Sequence, residues 1–204
     1  MKESVFYSNT PAKGFEKTNQ ARFDSVIGYS FDFEGGHANN KNDRGGETNF
    51  GITAPFLEDY KYALPNGKKK PIKALTIDDA RLLYKAQWDK YNLGYIEDKY
   101  LALVLNDYMI NSYARNVAKR VQNILNSNGA NLKIDGIFGE ETLKTINNTN
   151  KRWLIEQILI DRYHWYRKSV QRDRLQIGFY KGWINRLNKI AKEVGSNLNF
   201  STIY

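Results

Sequence analysis

Glu34, Asp43 and Thr48 stand within one glycine-rich stretch, residues 34–53, which holds five of the chain's 15 glycines (Gly35, Gly36, Gly45, Gly46 and Gly51). Two carboxylates and a hydroxyl spread across such a reversal have the parts for cleaving a glycosidic bond. One carboxylic acid protonates the departing oxygen, and the second carboxylate serves a water or a cation-like sugar. The first role falls to Glu34. At the C-terminal end of a helix, where the macrodipole carries partial negative charge, and beside Phe31 and Phe33, its carboxyl is expected to resist ionisation. An acid still protonated near neutral pH is what this chemistry requires. Asp43, nine residues on, is the candidate second carboxylate, with Glu47 competing for the role, and the Thr48 hydroxyl is placed to orient a water. Singly, each has a plainer reading: a solvated helix end for Glu34, an Asx-turn for Asp43. Their joint arrangement with two Gly-Gly pairs weighs toward the chemistry.

The rest of the composition narrows the alternatives. The 204-residue chain has no cysteine and only two histidines, His37 and His164. A disulfide framework, a thiol nucleophile and a multi-histidine metal site are therefore excluded. No nucleophile elbow for a serine–histidine triad is present, so neither a metal nor an organic cofactor is expected, and the chemistry rests on carboxylates. With 31 Lys+Arg against 22 Asp+Glu, the formal charge of +9 favours polyanionic partners: nucleic acid, anionic lipid or acidic wall polymers. No helix-turn-helix or RNP-type motif accompanies that charge, so nucleic acid is not the expected partner. No run of 18 apolar residues exists to span a bilayer. The N-terminus lacks the apolar core of a signal peptide, so synthesis in the cytoplasm and release by a holin-type or dedicated export route are expected. A monomer is the default.

The elements that must position these residues read as mainly α with one small hairpin. Phe23, Val26, Ile27 and Phe31 recur at helical spacing and predict a helix over 22–34, preceded by an extension, 1–21, with little structure of its own. A hairpin is expected within 34–53, its turn near Arg44–Glu47. Residues 54–75 read as irregular, with a solvated basic tip at Lys68-Lys69-Lys70. Thr76-Ile77-Asp78-Asp79 reads as a capping box opening a helix to about Tyr91. Further helices are expected over 100–113, 116–127, 149–170 and 177–194, with a short one following the glycine-punctuated turn at Asp135–Gly139 and a tail over 196–204. Trp153 and Trp183 are expected to hold the two long helices together, and His164 to lie packed or half-exposed.

Glu34-Gly35-Gly36-His37 and Asp43-Arg44-Gly45-Gly46-Glu47-Thr48-Asn49-Phe50-Gly51-Ile52-Thr53 resemble the signature of glycoside hydrolase family 108, the lysozyme-like N-acetylmuramidases of phage endolysins, prophage remnants and toxin-secretion loci. The family's usual EGGY form has His37 at its fourth position here. ARLLYKAQWD (80–89) is similar to the helix after the catalytic loop. DGIFGEET (135–142) looks like the DGxxGxxT motif of the accompanying peptidoglycan-binding half, and GWINR (182–186) like its closing helix. Relatives tend to carry Asn-x-Gly where this chain has Asn111-Ser112-Tyr113.

The resemblance implies a lysozyme-like helical fold with a catalytic region over 22–113 and a helical peptidoglycan-binding region over 114–195. It implies cleavage of the β-1,4 bond between N-acetylmuramic acid and N-acetylglucosamine in bacterial peptidoglycan, with Glu34 as the acid and Asp43 and Thr48 assisting. The alternatives are a lytic transglycosylase and a non-catalytic wall-binding or tail-associated protein. A glycan strand also needs ring faces and amides. Tyr60, Tyr62, Trp88, Tyr108 and Tyr113 are the available rings, and Asn49 and Asn111 the available amides. The substrate-binding set so expected is Glu47, Asn49, Tyr108, Asn111, Asp135, Gly136 and Gly139, although Asp135–Gly139 reads equally as a structural turn anchored by Ile137 and Phe138.

Overall fold

The computed structural model describes residues 15–31, 38–39, 46–67 and 70–201. Its elements are α1 (Phe15–Phe31), β1 (Ala38–Asn39), β2 (Glu47–Thr48), α2 (Ala54–Tyr60), α3 (Ile77–Lys90), α4 (Lys99–Ile110), α5 (Ala114–Ser127), α6 (Glu140–Asn148), α7 (Lys151–Arg172) and α8 (Ile177–Glu193). The mainly helical architecture agrees with the periodicity of the sequence.

The organising element is α4. Asp98 caps it, its side chain accepting from the Leu101 N–H, and every residue from Leu101 to Ile110 is buried or nearly so. A helix apolar on all sides must be wrapped on all sides. Helices α1, α5 and α7 pack around it, and α8 packs along α7. It stops at Ile110, three residues short of expectation, because the Asn111 side chain donates to the Asp107 carbonyl at 2.8 Å and closes the last turn. Tyr113 then adopts an extended conformation and opens α5.

The capping box opening α3 forms as its sequence predicts: Asp79 N–H donates to the Thr76 hydroxyl, and Thr76 N–H to the Asp79 carboxylate. Lys70 adds an ion pair to that carboxylate at 2.7 Å. The third lysine of the basic tip is therefore paired with α3 while its side chain stays 40 % exposed; Lys68 and Lys69 lie outside the described residues.

Three segments depart from the sequence expectation. Helix α1 begins at Phe15, not near residue 22, because a tertiary contact holds its polar first turns. The Trp88 indole donates to Asn19 Oδ1 at 2.6 Å, and Arg22 donates to the carbonyls of Gly94 and Ile96. Residues 54–60 form α2 where an irregular segment was expected; Thr53 caps it, accepting from Phe56 N–H. The segment from Ser196 to Phe200 is docked, not a loose tail. The Asn188 amide both donates to the Phe200 carbonyl and accepts from its N–H, and the Phe200 ring lies 5.1 Å from Tyr163.

At the centre of the molecule α4 meets α7 and α8 through a buried ion cluster. The Asp107 carboxylate accepts from Arg162 Nη1 at 2.6 Å and from Arg186 Nη2 at 2.6 Å and Nε at 3.0 Å. Both Asp107 and Arg162 are fully shielded from water. Burial by itself would raise the carboxyl's pKa, but the two guanidinium groups hold it below the usual carboxylate range. Arg162 Nε also donates to the Tyr166 hydroxyl, and the Tyr166 ring stacks on Trp183 at 5.1 Å. Trp183 thus joins α7 to α8, as its position predicts.

Candidate active site

The site is built on the hairpin. Strands β1 and β2 pair antiparallel, with Ala38 opposite Thr48 and Asn39 opposite Glu47. That register folds the segment carrying Glu47 and Thr48 back onto Ala38 and Asn39. Immediately after β2, Asn49 and Ile52 exchange backbone hydrogen bonds across a two-residue turn, Phe50-Gly51. Both turn residues have positive φ, 52° and 74°. Gly51 accepts this freely, whereas Phe50 carries a strain of about 1 kcal/mol or more. Two contacts hold it. The Tyr84 hydroxyl of α3 donates to the Phe50 carbonyl at 2.8 Å, and the Asn49 amide donates to the carbonyls of Ile72 and Leu75 at 3.2 and 3.0 Å. The hairpin is thereby clamped to the rigid α3 and to the turn before it.

Of the proposed catalytic set, Thr48 lies half-buried on β2, while Glu34 and Asp43, like His37, lie outside the described residues. Glu47 is half-buried on the same strand. Asn49 is only 5 % exposed, and its amide N–H groups are spent on Ile72 and Leu75. From there it positions the hairpin and does not face a groove. Tyr108 is likewise interior, on α4. Its hydroxyl donates to Asp161 at 3.1 Å, the Arg162 guanidinium lies over its ring, and burial drives its pKa well above the usual phenol value. Asn111 is half-buried and its amide is committed to the end of α4. Among the candidate rings, Tyr60 and Trp88 are buried, whereas Tyr62 and Tyr113 are 63 % and 68 % exposed. These two are the ring faces available to a ligand.

Asp135, Gly136 and Gly139 form a separate turn against α5, organised by a residue that the motif does not contain. Gln122 Nε2 donates to the Asp135 carboxylate at 3.0 Å and to the Ile137 carbonyl at 2.9 Å, and Gln122 Oε1 accepts from Gly136 N–H. Burial opposes ionisation of Asp135, but these donors and Ile137 N–H keep its pKa below the ordinary value. Gly136 has φ +78°, and a Cβ there would lie 2.7 Å from the Arg115 backbone oxygen. Phe138 is buried and accepts from Asn92 Nδ2, tying the turn to the end of α3. The bonds shown serve the fold. The signal for Gln122 was an amide within the apolar stripe Val117, Ala118, Val121 and Leu125 of α5. Gly136→Ala is accordingly expected to destabilise the protein by roughly 2 kcal/mol or more, since it combines an unfavourable φ with a backbone clash. Thermal unfolding of the variant reads this directly, and an unchanged midpoint would refute the structural role.

A cleft of about 210 Å³ between the starts of α4 and α7 and the end of α8, lined among others by Asp98, Tyr100, Arg152 and Glu156, shares no residue with the hairpin. Its Lys151 is spent on the carbonyls that end α6. Among the described residues no group of three or more His, Cys, Asp or Glu side chains could hold a metal.

With this geometry in hand, the comparisons with known proteins are specific. Residues 27–112 match the profile of the family Glycosyl hydrolase 108, and residues 116–188 match that of the Predicted Peptidoglycan domain. No curated protein sequence matches the chain. Among solved structures, the one titled "Structure of Brucella abortus SagA" superposes with a TM-score of 0.70 over 86 % of this chain and 94 % of that one, at 23 % identity. At that identity the likeness speaks for the fold alone. The boundary between the two matched regions falls at the turn between α4 and α5, and the buried cluster joins Asp107 of the first region to Arg162 and Arg186 of the second. The two matches mark the chain as a glycoside hydrolase with peptidoglycan as its partner, residues 27–112 resembling Glycosyl hydrolase 108 and residues 116–188 the Predicted Peptidoglycan domain.

Proposed function

We propose that the protein is an N-acetylmuramidase that hydrolyses the β-1,4 bond between N-acetylmuramic acid and N-acetylglucosamine. The observation that carries this reading is the hairpin register, which pairs Thr48 with Ala38, four residues after Glu34, within the region matching family 108. Glu34 donates its proton to the departing sugar oxygen. Asp43, in preference to Glu47, positions the attacking water or stabilises the oxocarbenium-like transition state, and the Thr48 hydroxyl orients that water. Tyr62 and Tyr113 offer exposed rings to the sugar faces.

The catalytic region, 22–113, and the binding region, 114–195, work as one body, since a buried ion cluster spans them. The chain acts as a monomer on the cell wall, after release of the endolysin type or by dedicated export. Its +9 charge promotes adsorption to acidic wall, an attraction that salt weakens. Incubation with purified sacculi tests the reading: soluble fragments and new reducing ends are expected to appear together. Binding to sacculi without release of either would make the protein a wall-binding component and overturn the assignment.

A further inference from the structure

The elbow between α7 and α8 has a surface that nothing in the hydrolase reading uses. Leu175 and Ile177 are 66 % and 52 % exposed, two large aliphatic side chains within three residues at the tip of a helical hairpin. The elbow and the adjoining turns of α7 and α8 carry the exposed cations Lys168, Arg172, Arg174 and Lys181. Residues 168–183 contain these four cations and one acid, Asp173, for a net charge of +3. That acid is turned into the elbow: its carboxylate accepts from Leu175 N–H at 3.1 Å and from the Gln176 amide at 3.2 Å. Behind the tip, Phe179 stacks on Trp183, which stacks in turn on Tyr166. An apolar point, a collar of Lys and Arg and a tryptophan set slightly back is the order in which groups meet a bilayer interface.

We propose that the α7–α8 elbow docks on the surface of a membrane rich in anionic phospholipid, with Leu175 and Ile177 entering the acyl boundary and the flanking cations meeting phosphate headgroups. The chemistry favours this occupant over others. A hydrated, anionic polysaccharide would satisfy the cations but give leucine and isoleucine no apolar environment. A second copy of the chain would bring like charges together. A surface that is anionic outside and hydrocarbon within matches both features. The inference is independent of the catalytic assignment and does not require spanning: among the described residues, no helix is long and apolar enough to cross a membrane.

Sedimentation of the full chain with vesicles of phosphatidylglycerol and phosphatidylcholine, against phosphatidylcholine alone, tests it. The protein is expected to bind the anionic vesicles, more weakly as salt rises. Leu175→Glu/Ile177→Glu is expected to reduce that binding at least tenfold, with the thermal midpoint unchanged. Each removed cation among Lys168, Arg172 and Lys181 should weaken it roughly fivefold. Equal binding by the Leu175/Ile177 double variant would reduce the effect to bulk charge and overturn the proposal. So would absence of vesicle binding in the parent protein, a loss confined to adsorption on sacculi, or a change in the double variant's oligomeric state alone.

Discussion

Glu34→Gln is expected to reduce release of soluble fragments from purified sacculi by about a thousandfold or more, while the far-ultraviolet circular dichroism and thermal midpoint stay those of the parent. The magnitude follows from the task assigned to the side chain. A positioned general acid contributes on the order of 10²–10⁴ in rate, and the amide is nearly isosteric with the acid but has no acidic proton to give. The fold should not notice the change, because the core contacts of α1 are made by Phe23, Val26 and Ile27. Adsorption to sacculi should also survive, since the binding region is untouched. A variant that binds and melts like the parent but does not cut separates the loss of chemistry from the loss of structure. Full activity in it would remove Glu34 from the mechanism.

The second large effect is structural. Asp107→Asn is expected to lower stability by about 3–5 kcal/mol, because Arg162 and Arg186 then remain in the interior without their counter-charge. Since α4 belongs to the hydrolase region and α7 and α8 largely to the binding region, hydrolysis and sacculus adsorption should fail together as the temperature rises, in one transition. The pH dependence has a definite sign. A carboxylate held below its ordinary value contributes stability that is fully present above the unfolded-state pKa, about 3.9, and is lost as the pH falls through the lower folded-state value. The parent protein should therefore lose the cluster's contribution below about pH 4, and the slope of unfolding free energy against pH should be shallower there in Asp107→Asn. Denaturant titrations across that range measure both. Parallel slopes in the two proteins would show that Asp107 is not the titrating group.

Much of the scaffold was legible because its signals are local. The Thr76–Asp79 box specifies the start of α3 through side chains and backbone three residues apart. The unbroken apolar run of α4 marks a helix surrounded by others. What escaped reading depends on partners distant in sequence. The first turns of α1 have no apolar stripe and rest on the contact of Asn19 with Trp88, 69 residues away. Helix α2 has only seven residues, too few for periodicity to accumulate, so Thr53 was its only cap signal.

The candidate site divides along the same line. Residue types suited to a glycan, Asn49 and Tyr108 among them, were identified by chemistry, but whether an amide faces a groove or clamps a turn is decided by what packs behind it. Asn49 follows β2 on the inward side, where the Ile72 and Leu75 carbonyls need donors. Tyr108 sits inside ten consecutive buried positions of α4, where a hydroxyl requires an internal partner and finds Asp161. Of five candidate rings the fold leaves Tyr62 and Tyr113 largely exposed, a choice that no sequence spacing revealed.

Mass spectrometry of the muropeptides released from purified sacculi tests the central assignment most directly. Hydrolysis by an acid and a directed water predicts fragments ending in reducing N-acetylmuramic acid, each heavier by one water than the corresponding anhydro product. Fragments ending in 1,6-anhydro-muramic acid would show intramolecular attack in place of water, and fragments ending in reducing N-acetylglucosamine would show cleavage of the other bond. Either result contradicts the muramidase assignment.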